Sequence, residues 1–340
     1  MSKNQEIKKK RFERPKIVTI GGGTGHFALL SGLKNHGVDL AAVVTMADDG
    51  GSTGVLRDEL GVLPPGDLRQ CLVALSEADE LVRELFTHRF DTGTLKGHNF
   101  GNIFISALEQ VSGSIEHAVE EAAGVLKIRG EVLPVTLDKT NLSATLKDDT
   151  VLNGEYVLSG SNEVFQKGVK SMELTPKAKL NPKVERAIRQ ADLVVLGPGN
   201  LYSSLIPNVL VPELGKVLQQ SYAPTVFVAN LMNKMGHTDD FDCARYVEEI
   251  EKYAGTSFID VVLYNTQELP NKLLKRYKDQ ASPVECVMPE KVGNVEYVGA
   301  DVISDVITEA KSGDPIVRTL IRHDSEKLAR AVMQVLQDTM

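Results

Sequence analysis

The chain has 340 residues, of which 42% are hydrophobic and 25% are charged, and its formal net charge is −8. This negative net charge argues against a general nucleic-acid binder, whose affinity would depend on clustered Lys and Arg side chains that contact phosphates, so no nucleic-acid partner is expected. The sequence contains no run of about 18 apolar residues, and we therefore expect no membrane span.

The chain starts with the basic segment MSKNQEIKKKRFERPK. The KIVTIGGGTG that follows is too rich in glycine and too short in apolar length for a signal peptide. We therefore predict a flexible basic tail over residues 1–15. Cys71, Cys243 and Cys286 are far apart and match no metal-binding spacing, which predicts reduced residues with a packing role. These features favour a cytoplasmic location.

Strands and helices alternate in the first part of the chain. KIVTI (16–20) predicts a strand that leads into a helix over 24–36, and LAAVVTMA (40–47) predicts a second strand. Apolar residues at helical spacing predict further helices at 67–77, 101–111 and 114–128.

The pattern changes near residues 130–172, where short β-prone runs are broken by Gly, Asn and Asp and predict a small β-rich excursion. From residue 183 the alternation returns, with predicted elements KVERAIRQ, DLVVL, VPELGKVLQQS, TVFVAN, CARYVEEIEKYAG, IDVVLYN and SEKLARAVMQVLQDT. Strands separated by helices predict an α/β three-layer sandwich with a mainly parallel sheet. We predict a single domain over residues 16–340.

Polar and small residues follow many of the predicted strands. If the crossovers are right-handed, the carboxyl ends of parallel strands share one edge of the sheet, where open α/β sheets place their ligands. Turn residues also end strands in proteins without a ligand site, so small or polar residues after a single strand are weak support for one. Their repetition after several strands predicts a cleft. These residues are 21–25, Asp48, Asp49, 197–200, Asn230 and Asn265.

The first glycine loop, IGGGTG, joins a predicted strand to a predicted helix. Its glycines allow a ligand to approach the main chain, and the start of the helix favours an anion. His26 occupies the place of the third glycine of a dinucleotide fingerprint, and no Gly-Lys-Ser/Thr of a Walker A loop follows. A phosphate site and a tight structural turn both fit. The predicted ligand contacts are Gly22, Gly23, Thr24 and Gly25.

The second glycine loop, LGPGNLYSSLIPN (196–208), has the same arrangement. Two such loops on neighbouring strands can hold two phosphates of one diphosphate. The alternative is that Asn200 or a serine only caps the helix that follows. The predicted contacts are Gly197, Pro198, Gly199, Asn200, Ser203 and Ser204.

Two adjacent acids, Asp48 and Asp49, precede the small residues of ADDGGSTG. Their side chains diverge on an extended segment, so one is expected to cap the helix that begins near Thr53 while the other faces the cleft. A carboxylate beside a phosphate site suggests Mg²⁺ held through water, with Asp49 as its ligand. The alternative is a hydrogen bond to ribose or to a base edge.

Asp67 and Arg69 follow a Pro-Pro-Gly turn, where Arg69 offers positive charge to a diphosphate. Asp67 is a predicted ligand contact. The alternative is that Asp67 caps its helix and Arg69 pairs with it. His98 of GHNFGN is either a general acid or ligand contact, or a hydrogen-bonded turn residue. Arg318 near the end of the chain can reach a sugar or phosphate, or pair with surface acids.

Asn102 and Asn230 complete the set of predicted ligand contacts. Near the end of the chain, Asp324 or Ser325 is predicted to cap the last helix.

The motifs resemble, in this order, the family that contains 2-phospho-L-lactate transferase (CofD-like), and in particular its YvcK-like branch of gluconeogenesis factors. They are GGGTG, VVTMADDGGSTGVLRDELGVLPPGDLRQCLVAL, GHNFGN, VLPVTL, ADLVVLGPGNLYSSLIPN and the RHD near residue 322. The resemblance covers nearly the whole chain from about Lys16. His26-Phe27 and Asn200 are small departures.

This resemblance implies a Rossmann-like fold with a nucleotide at the carboxyl edge of the sheet. In the transferase branch, a phospholactyl group passes from a guanosine diphosphate conjugate to a deazaflavin with Mg²⁺. The YvcK-like branch implies a nucleotide-sugar ligand such as UDP-N-acetylglucosamine. It also implies a role in cell shape and wall synthesis on gluconeogenic carbon sources, with wall-synthesis proteins and a homo-oligomer as partners.

Three functions compete at this stage. The first is a nucleotide-sugar-binding regulator without turnover. The second is a Mg²⁺-dependent transferase of phosphorus-containing groups, with Asp48, Asp49 and His98 as catalytic candidates. The third, an NAD-dependent oxidoreductase, is disfavoured by the broken fingerprint, although a dinucleotide ligand still fits the cleft.

Overall fold

The computed structural model describes residues 14–155, 162–277, 281–286, 291–305 and 321–340. In chain order, the strands are β1 (Lys16–Gly21), β2 (Asp39–Val44), β3 (Glu131–Pro134), β4 (Asn141–Leu146), β5 (Val151–Asn153), β6 (Val169–Thr175), β7 (Leu193–Leu196), β8 (Thr225–Val228), β9 (Val261–Asn265), β10 (Lys291–Val292) and β11 (Val295–Ala300). Over the described residues, the main sheet has the order β10-β11-β9-β8-β7-β1-β2-β3, and only the β10–β11 pairing is antiparallel.

Helices connect and flank these strands. They are α1 (Gly23–Leu33), α2 (Gly51–Leu60), α3 (Gly66–Leu75), α4 (Glu80–Thr87), α5 (Phe100–Ser112), α6 (Ile115–Leu126), α7 (Asn162–Lys167), α8 (Pro182–Arg189), α9 (Ile206–Val209), α10 (Leu214–Gln219), α11 (Cys243–Ala254), α12 (Asn271–Tyr277) and α13 (Ser325–Thr339). A π-helical turn at Leu201–Leu205 leads directly into α9. The predicted α/β, Rossmann-like fold is confirmed.

The core lies where apolar strands meet the apolar faces of helices. Every residue of β7 and β8 is buried, as expected for strands of a parallel sheet covered on both faces. On α1, Leu29, Leu30 and Leu33 are fully buried, and this helix packs against α3 and α13. Removing so much apolar surface from water is the main force that holds the sheet and helices together.

The β-rich excursion is smaller than the sequence predicted at its start. β3 pairs in parallel with β2 and belongs to the main sheet, because its apolar residues are buried there. The separate antiparallel sheet has the order β5-β4-β6 and runs from Asn141 to Thr175. Apolar character alone did not distinguish a parallel strand of the main sheet from a strand of the small antiparallel sheet.

Two further elements had no counterpart in the sequence prediction. α4 has only one buried residue, Phe86, and β11 pairs with β9. The last helix begins as predicted, since the Asp324 side chain accepts hydrogen bonds from the N–H groups of Glu326 and Lys327. The predicted single domain over 16–340 stays a prediction, and most of the predicted basic tail lies outside the described residues.

The cysteine prediction is wrong for two of the three residues. Cys243, at the start of α11, forms a disulfide with Cys286, and their Cα atoms are 5.2 Å apart. Their separation of 43 residues carried no signal in the sequence. Cys71 is a buried free thiol, as a packing role requires.

Across the described ranges, no helix combines the length and apolar character needed to cross a membrane.

Candidate functional site

The two glycine loops touch each other at the carboxyl ends of the neighbouring strands β1 and β7. A Cβ added at Gly25 would lie 2.2 Å from the carbonyl oxygen of Pro198, and one added at Gly199 would lie 3.2 Å from that of Gly22. Side chains at these positions would force the loops apart. The structure therefore brings together the residues predicted at 22–25 and 197–200.

The first loop requires glycine for two different reasons. Gly23 has φ +68°, a conformation that side-chain-bearing residues rarely adopt. Gly22 is extended, but a Cβ there would lie 2.6 Å from Asp67 Oδ2. The main chain of this loop is thus in direct contact with a carboxylate. Thr24, the next residue, is exposed.

That carboxylate belongs to the first turn of α3. Asp67 is buried, and its Oδ1 accepts hydrogen bonds from Gly23 N at 3.1 Å and from Gln70 Nε2 at 3.3 Å. The helix-cap alternative for Asp67 is wrong, because Pro65 is the N-cap of α3. Asp67 instead joins α3 to the glycine loop at the start of α1.

A chain of hydrogen bonds links Asp48 to α5. The Asp48 carboxylate accepts from Gly50 N at 2.9 Å and from the Thr53 hydroxyl. Because that hydroxyl donates to Asp48, it accepts from Asn102 Nδ2, 3.3 Å away. Within the described residues, the buried Oδ1 of Asn102 has no hydrogen-bond donor. The predicted residues Asp48 and Asn102 therefore form one network through Thr53, which the sequence reasoning had treated only as a helix start.

The charge around these carboxylates is unusual. Burial raises the pKa of Asp67 to about 7, and the charges of Asp48 and Glu155 add to the rise, while Gly23 N–H and Arg69 oppose it. Burial also raises the pKa of Asp48, with opposing hydrogen bonds from Gly50 and Thr53. Two buried acids close enough to repel each other hold on to protons more strongly than isolated ones do.

The other predicted acid and base candidates lie around this pair. The Asp49 carboxylate reaches the small sheet, since a Cβ on Gly154 would be 2.2 Å from Asp49 Oδ2. Its charge adds to the rise in the pKa of Asp48. His98 Nδ1 lies 3.3 Å from the Ser52 hydroxyl at the start of α2. This contact matches the predicted alternative of a hydrogen-bonded turn residue.

Arg69 lies beside the acids, and its predicted contact with a diphosphate stays a prediction. Its positive charge lowers the pKa of both Asp48 and Asp67. The stem of its side chain passes over Gly101, where an added Cβ would be 2.8 Å from Arg69 Cδ. Arg69 therefore compensates part of the acidic charge, and Gly101 is the position that admits its side chain.

The second glycine loop is held by two asparagines. Asn200 caps the π-helical turn, accepting from the N–H groups of Tyr202 and Ser203, each 3.1 Å away. Asn230 donates to the Gly199 carbonyl at 2.9 Å and accepts from Gly199 N at 3.4 Å. The capping alternative for Asn200 is thus observed, and Asn230 braces the loop. Ser204 is buried and Ser203 is partly buried.

One histidine packs beneath both loops. His26 is fully buried, its Nε2 lies 2.8 Å from the Thr19 hydroxyl, and burial lowers its pKa to about 3. A Cβ on Gly21 would be 3.2 Å from its ring, and one on Gly197 would be 3.1 Å from it. The residue that breaks the dinucleotide fingerprint is therefore a neutral support for the two turns.

Three site residues were missed by sequence reasoning, namely Gln70, Glu155 and Lys234. Glu155 lies just after β5, and its charge acts on Asp67 and on Lys234, whose pKa is lowered by burial. Neither residue lies in a glycine loop or a recognisable motif. Gln70 lies within the quoted LPPGDLRQ segment. Arg318 falls outside the described residues.

The acids fit a metal ion only in part. Among the described residues, no group of three or more His, Cys, Asp or Glu side chains is arranged to hold a metal. Mg²⁺ requires about six oxygen ligands and commonly takes only one or two carboxylates from a protein, with substrate phosphates and water. Asp48 or Asp49 can therefore hold Mg²⁺ only together with further oxygens from water or a bound ligand.

A family model described as 2-phospho-L-lactate transferase CofD matches residues 17–307. The chain belongs to the CofD family. Within it, the protein is 38% identical over 330 residues to a gluconeogenesis factor from Bacillus subtilis strain 168, covering 96% of this chain and 99% of the relative. It is 37% identical over 329 residues to a gluconeogenesis factor from Listeria monocytogenes, covering 96% and 97%.

A solved structure supports the same assignment. The CofD-family chain superimposes on a crystal structure of a UPF0052 family member from Bacillus halodurans with a TM-score of 0.84 and 33% identity. The match covers 95% of this chain and 99% of the other. The α/β architecture that carries the two glycine loops is therefore shared along almost the entire length.

Proposed function

We propose that the protein binds a nucleotide sugar of the UDP-N-acetylglucosamine type where the two glycine loops meet. The observation that carries this proposal is their contact at the carboxyl edge of the sheet, beside the N-terminus of α1, where open α/β sheets place phosphate-containing ligands. Asp48 and Asp49 supply acceptors for ribose or base donors. Similarity to gluconeogenesis factors supports a regulatory role.

In this proposal, ligand binding regulates cell shape and wall synthesis during growth on gluconeogenic carbon sources. The protein acts in the cytoplasm, with wall-synthesis proteins and a second copy of the chain as its partners. The protein binds the nucleotide sugar saturably and does not convert it to a product.

Isothermal titration calorimetry with UDP-N-acetylglucosamine tests the binding. The Asp49→Asn variant is expected to bind about fivefold or more weakly, because a hydrogen bond to a charged acceptor is weakened. Asp79→Asn is the matched control, since Asp79 is an exposed carboxylate at the start of α4. Unchanged affinity in Asp49→Asn would remove Asp49 from the site, and absence of binding by the natural chain would end the proposal.

A second candidate function rests on the carboxylate pair. Asp48 and Asp67 have raised pKa values, and Asp48 is linked through Thr53 to Asn102, so the pair is suited to accepting a proton from an attacking hydroxyl. Bound Mg²⁺ would neutralise phosphate charge in such a transfer. Phosphorus NMR of the protein with UDP-N-acetylglucosamine or GDP conjugates and Mg²⁺ distinguishes the two functions. Steady release of nucleotide supports the transferase, and binding without product supports the regulator.

A further inference from the structure

The N-terminus of α1 is capped from a distant part of the chain. Its first turn carries no acidic residue, and its N-cap, Gly22, supplies no side-chain hydrogen bond. The acceptor for Gly23 N is instead Asp67, 44 residues further along the chain. A helix N-terminus attracts negative charge, and here part of that capacity is already used by the protein.

The Asp67 carboxylate lies against the turn of the first glycine loop. A Cβ built on Gly22 would be 2.6 Å from Asp67 Oδ2 and 3.1 Å from Asp67 Cγ, so the carboxylate lies directly on the glycine turn. Gly23 N donates to Asp67 Oδ1, and a backbone N–H cannot serve two anions equally well. Asp67 and a docking phosphate therefore compete for the same donor.

The charged groups around Asp67 add to the electrostatic cost of bringing a phosphate to this loop. The charges of Asp48, in the loop before α2, and of Glu155, just after β5, both act on Asp67. On the same helix as Asp67, Arg69 provides the opposing positive charge. The pKa of the Cys71 thiol is raised by burial and also by the charge of Asp67. A diphosphate entering here with all three carboxylates ionised would add negative charge to an acidic environment, which is costly at short range.

We propose that Asp67 is an internal competing anion that determines which charge state of the site accepts phosphate on the first glycine loop. Docking requires that Asp67 take up a proton and so give up its negative charge beside Gly23 N. This inference rests on the proposed nucleotide-sugar binding and adds a specificity-determining residue to it. The raised pKa of Asp67 near neutrality agrees with the geometry.

Calorimetry of UDP-N-acetylglucosamine binding at pH 6 and pH 8, in two buffers with different ionisation heats, tests the competition. The diphosphate diester of the ligand does not titrate in this range, so proton uptake reports on the protein. The natural chain is expected to take up close to one proton and to bind about tenfold more weakly at pH 8. Asp67→Asn should bind with little pH dependence and about tenfold more tightly than the natural chain at pH 8. Asp79→Asn should match the natural chain.

Two results would overturn the inference. One is weaker binding by Asp67→Asn at both pH values while its circular dichroism spectrum remains native, which would make Asp67 a direct ligand contact. The other is binding by the natural chain without proton uptake.

A separate measurement distinguishes this inference from the proposed function. Pyrophosphate is titrated at pH 8 into the natural chain and into Asp67→Asn, while the Gly23 amide resonance is followed by NMR. A larger shift in the variant supports the competition even if no nucleotide sugar binds, in which case only the proposed function fails. Equal shifts, or none in either protein, contradict the competition.

Discussion

The two glycine loops look alike in sequence but satisfy their main-chain groups in different ways. The second loop is closed by asparagines, because Asn200 caps its own turn and Asn230 binds Gly199 from the next strand. The first loop depends on a carboxylate from α3, since Asp67 accepts from Gly23 N. The second loop is held by neutral amide side chains, whereas the first is held by an ionisable carboxylate. Similar strand–glycine–helix junctions can therefore play different roles in one site.

The largest expected effect comes from forcing the two loops apart. In Gly25→Ala, the new methyl group would lie 2.2 Å from the Pro198 carbonyl oxygen, whereas in Gly199→Ala its nearest contact is 3.1 Å away. We expect Gly25→Ala to lower the free energy of unfolding by about 2–3 kcal/mol, and Gly199→Ala by clearly less. Urea titration followed by circular dichroism measures both.

Gly124→Ala in α6 is the control for these variants, because no atom outside its own helix lies within 4 Å of an added Cβ there. Its stability should be unchanged or slightly increased. Equal losses in Gly25→Ala and Gly199→Ala would contradict the close approach of the first loop to Pro198.

Acid should destabilise the support that both loops share. His26 is neutral in the fold with a pKa of about 3, whereas an unfolded His binds a proton near pH 6.5. The unfolded state therefore binds more protons below about pH 6.5, and stability falls as pH falls. The loss from His26 is expected to be about 2 kcal/mol at pH 5. Urea titrations from pH 8 to pH 5 measure it.

His26→Gln isolates this contribution from those of other buried histidines, such as His237 and His323. Glutamine can still bond to the Thr19 hydroxyl but does not titrate. Its stability should decline less between pH 8 and pH 5 than that of the natural chain. Parallel pH profiles for the two proteins would show that His26 does not carry the effect.

Removing the charge of Asp67, which holds the first glycine loop, should stabilise the fold. The pKa of Asp67 is raised in the fold, so the folded state binds more protons than the unfolded state between about pH 4 and pH 7. Its contribution to stability is therefore lost as pH rises through this window. Asp67→Asn should be more stable than the natural chain by roughly 1–2 kcal/mol at pH 8, and the difference should shrink below pH 4. Thermal unfolding at pH 8 and below pH 4 measures the stability of both proteins. The same stability difference at both pH values would show that the charge of Asp67 does not affect stability.

The smallest effect is expected in the neutral loop. Asn200→Ala removes the acceptor for Tyr202 N and Ser203 N, which should cost about 1 kcal/mol. Asn200→Asp keeps an acceptor and should recover most of that loss. Urea titration of the pair tests the cap, and failure of Asp to restore stability would show that Asn200 acts through another contact.

The sequence was sufficient for most of the architecture and for the meeting of the loops. Apolar strands followed by glycine or acid predicted a shared carboxyl edge, and the β1–β7 pairing places Gly25 and Pro198 together there. This inference worked because parallel strands and right-handed crossovers leave few alternatives.

The partners within the site could not be predicted in the same way. The contact of Asp67 with Gly23, and the charges of Glu155 and Lys234, depend on how separate loops pack in three dimensions. No periodicity or motif records such distances. The Cys243–Cys286 disulfide was missed for the same reason.

The pairing of β1 with β7 also determines when, during synthesis of the chain, the two glycine loops can meet. These strands lead into the two loops, yet β7 ends at Leu196, more than half-way along the 340 residues. A ribosome must therefore produce most of the polypeptide before Gly25 can meet Pro198. Nascent fragments that end before this point lack the second loop, so the contact between the two loops can form only after β7 has joined the centre of the sheet.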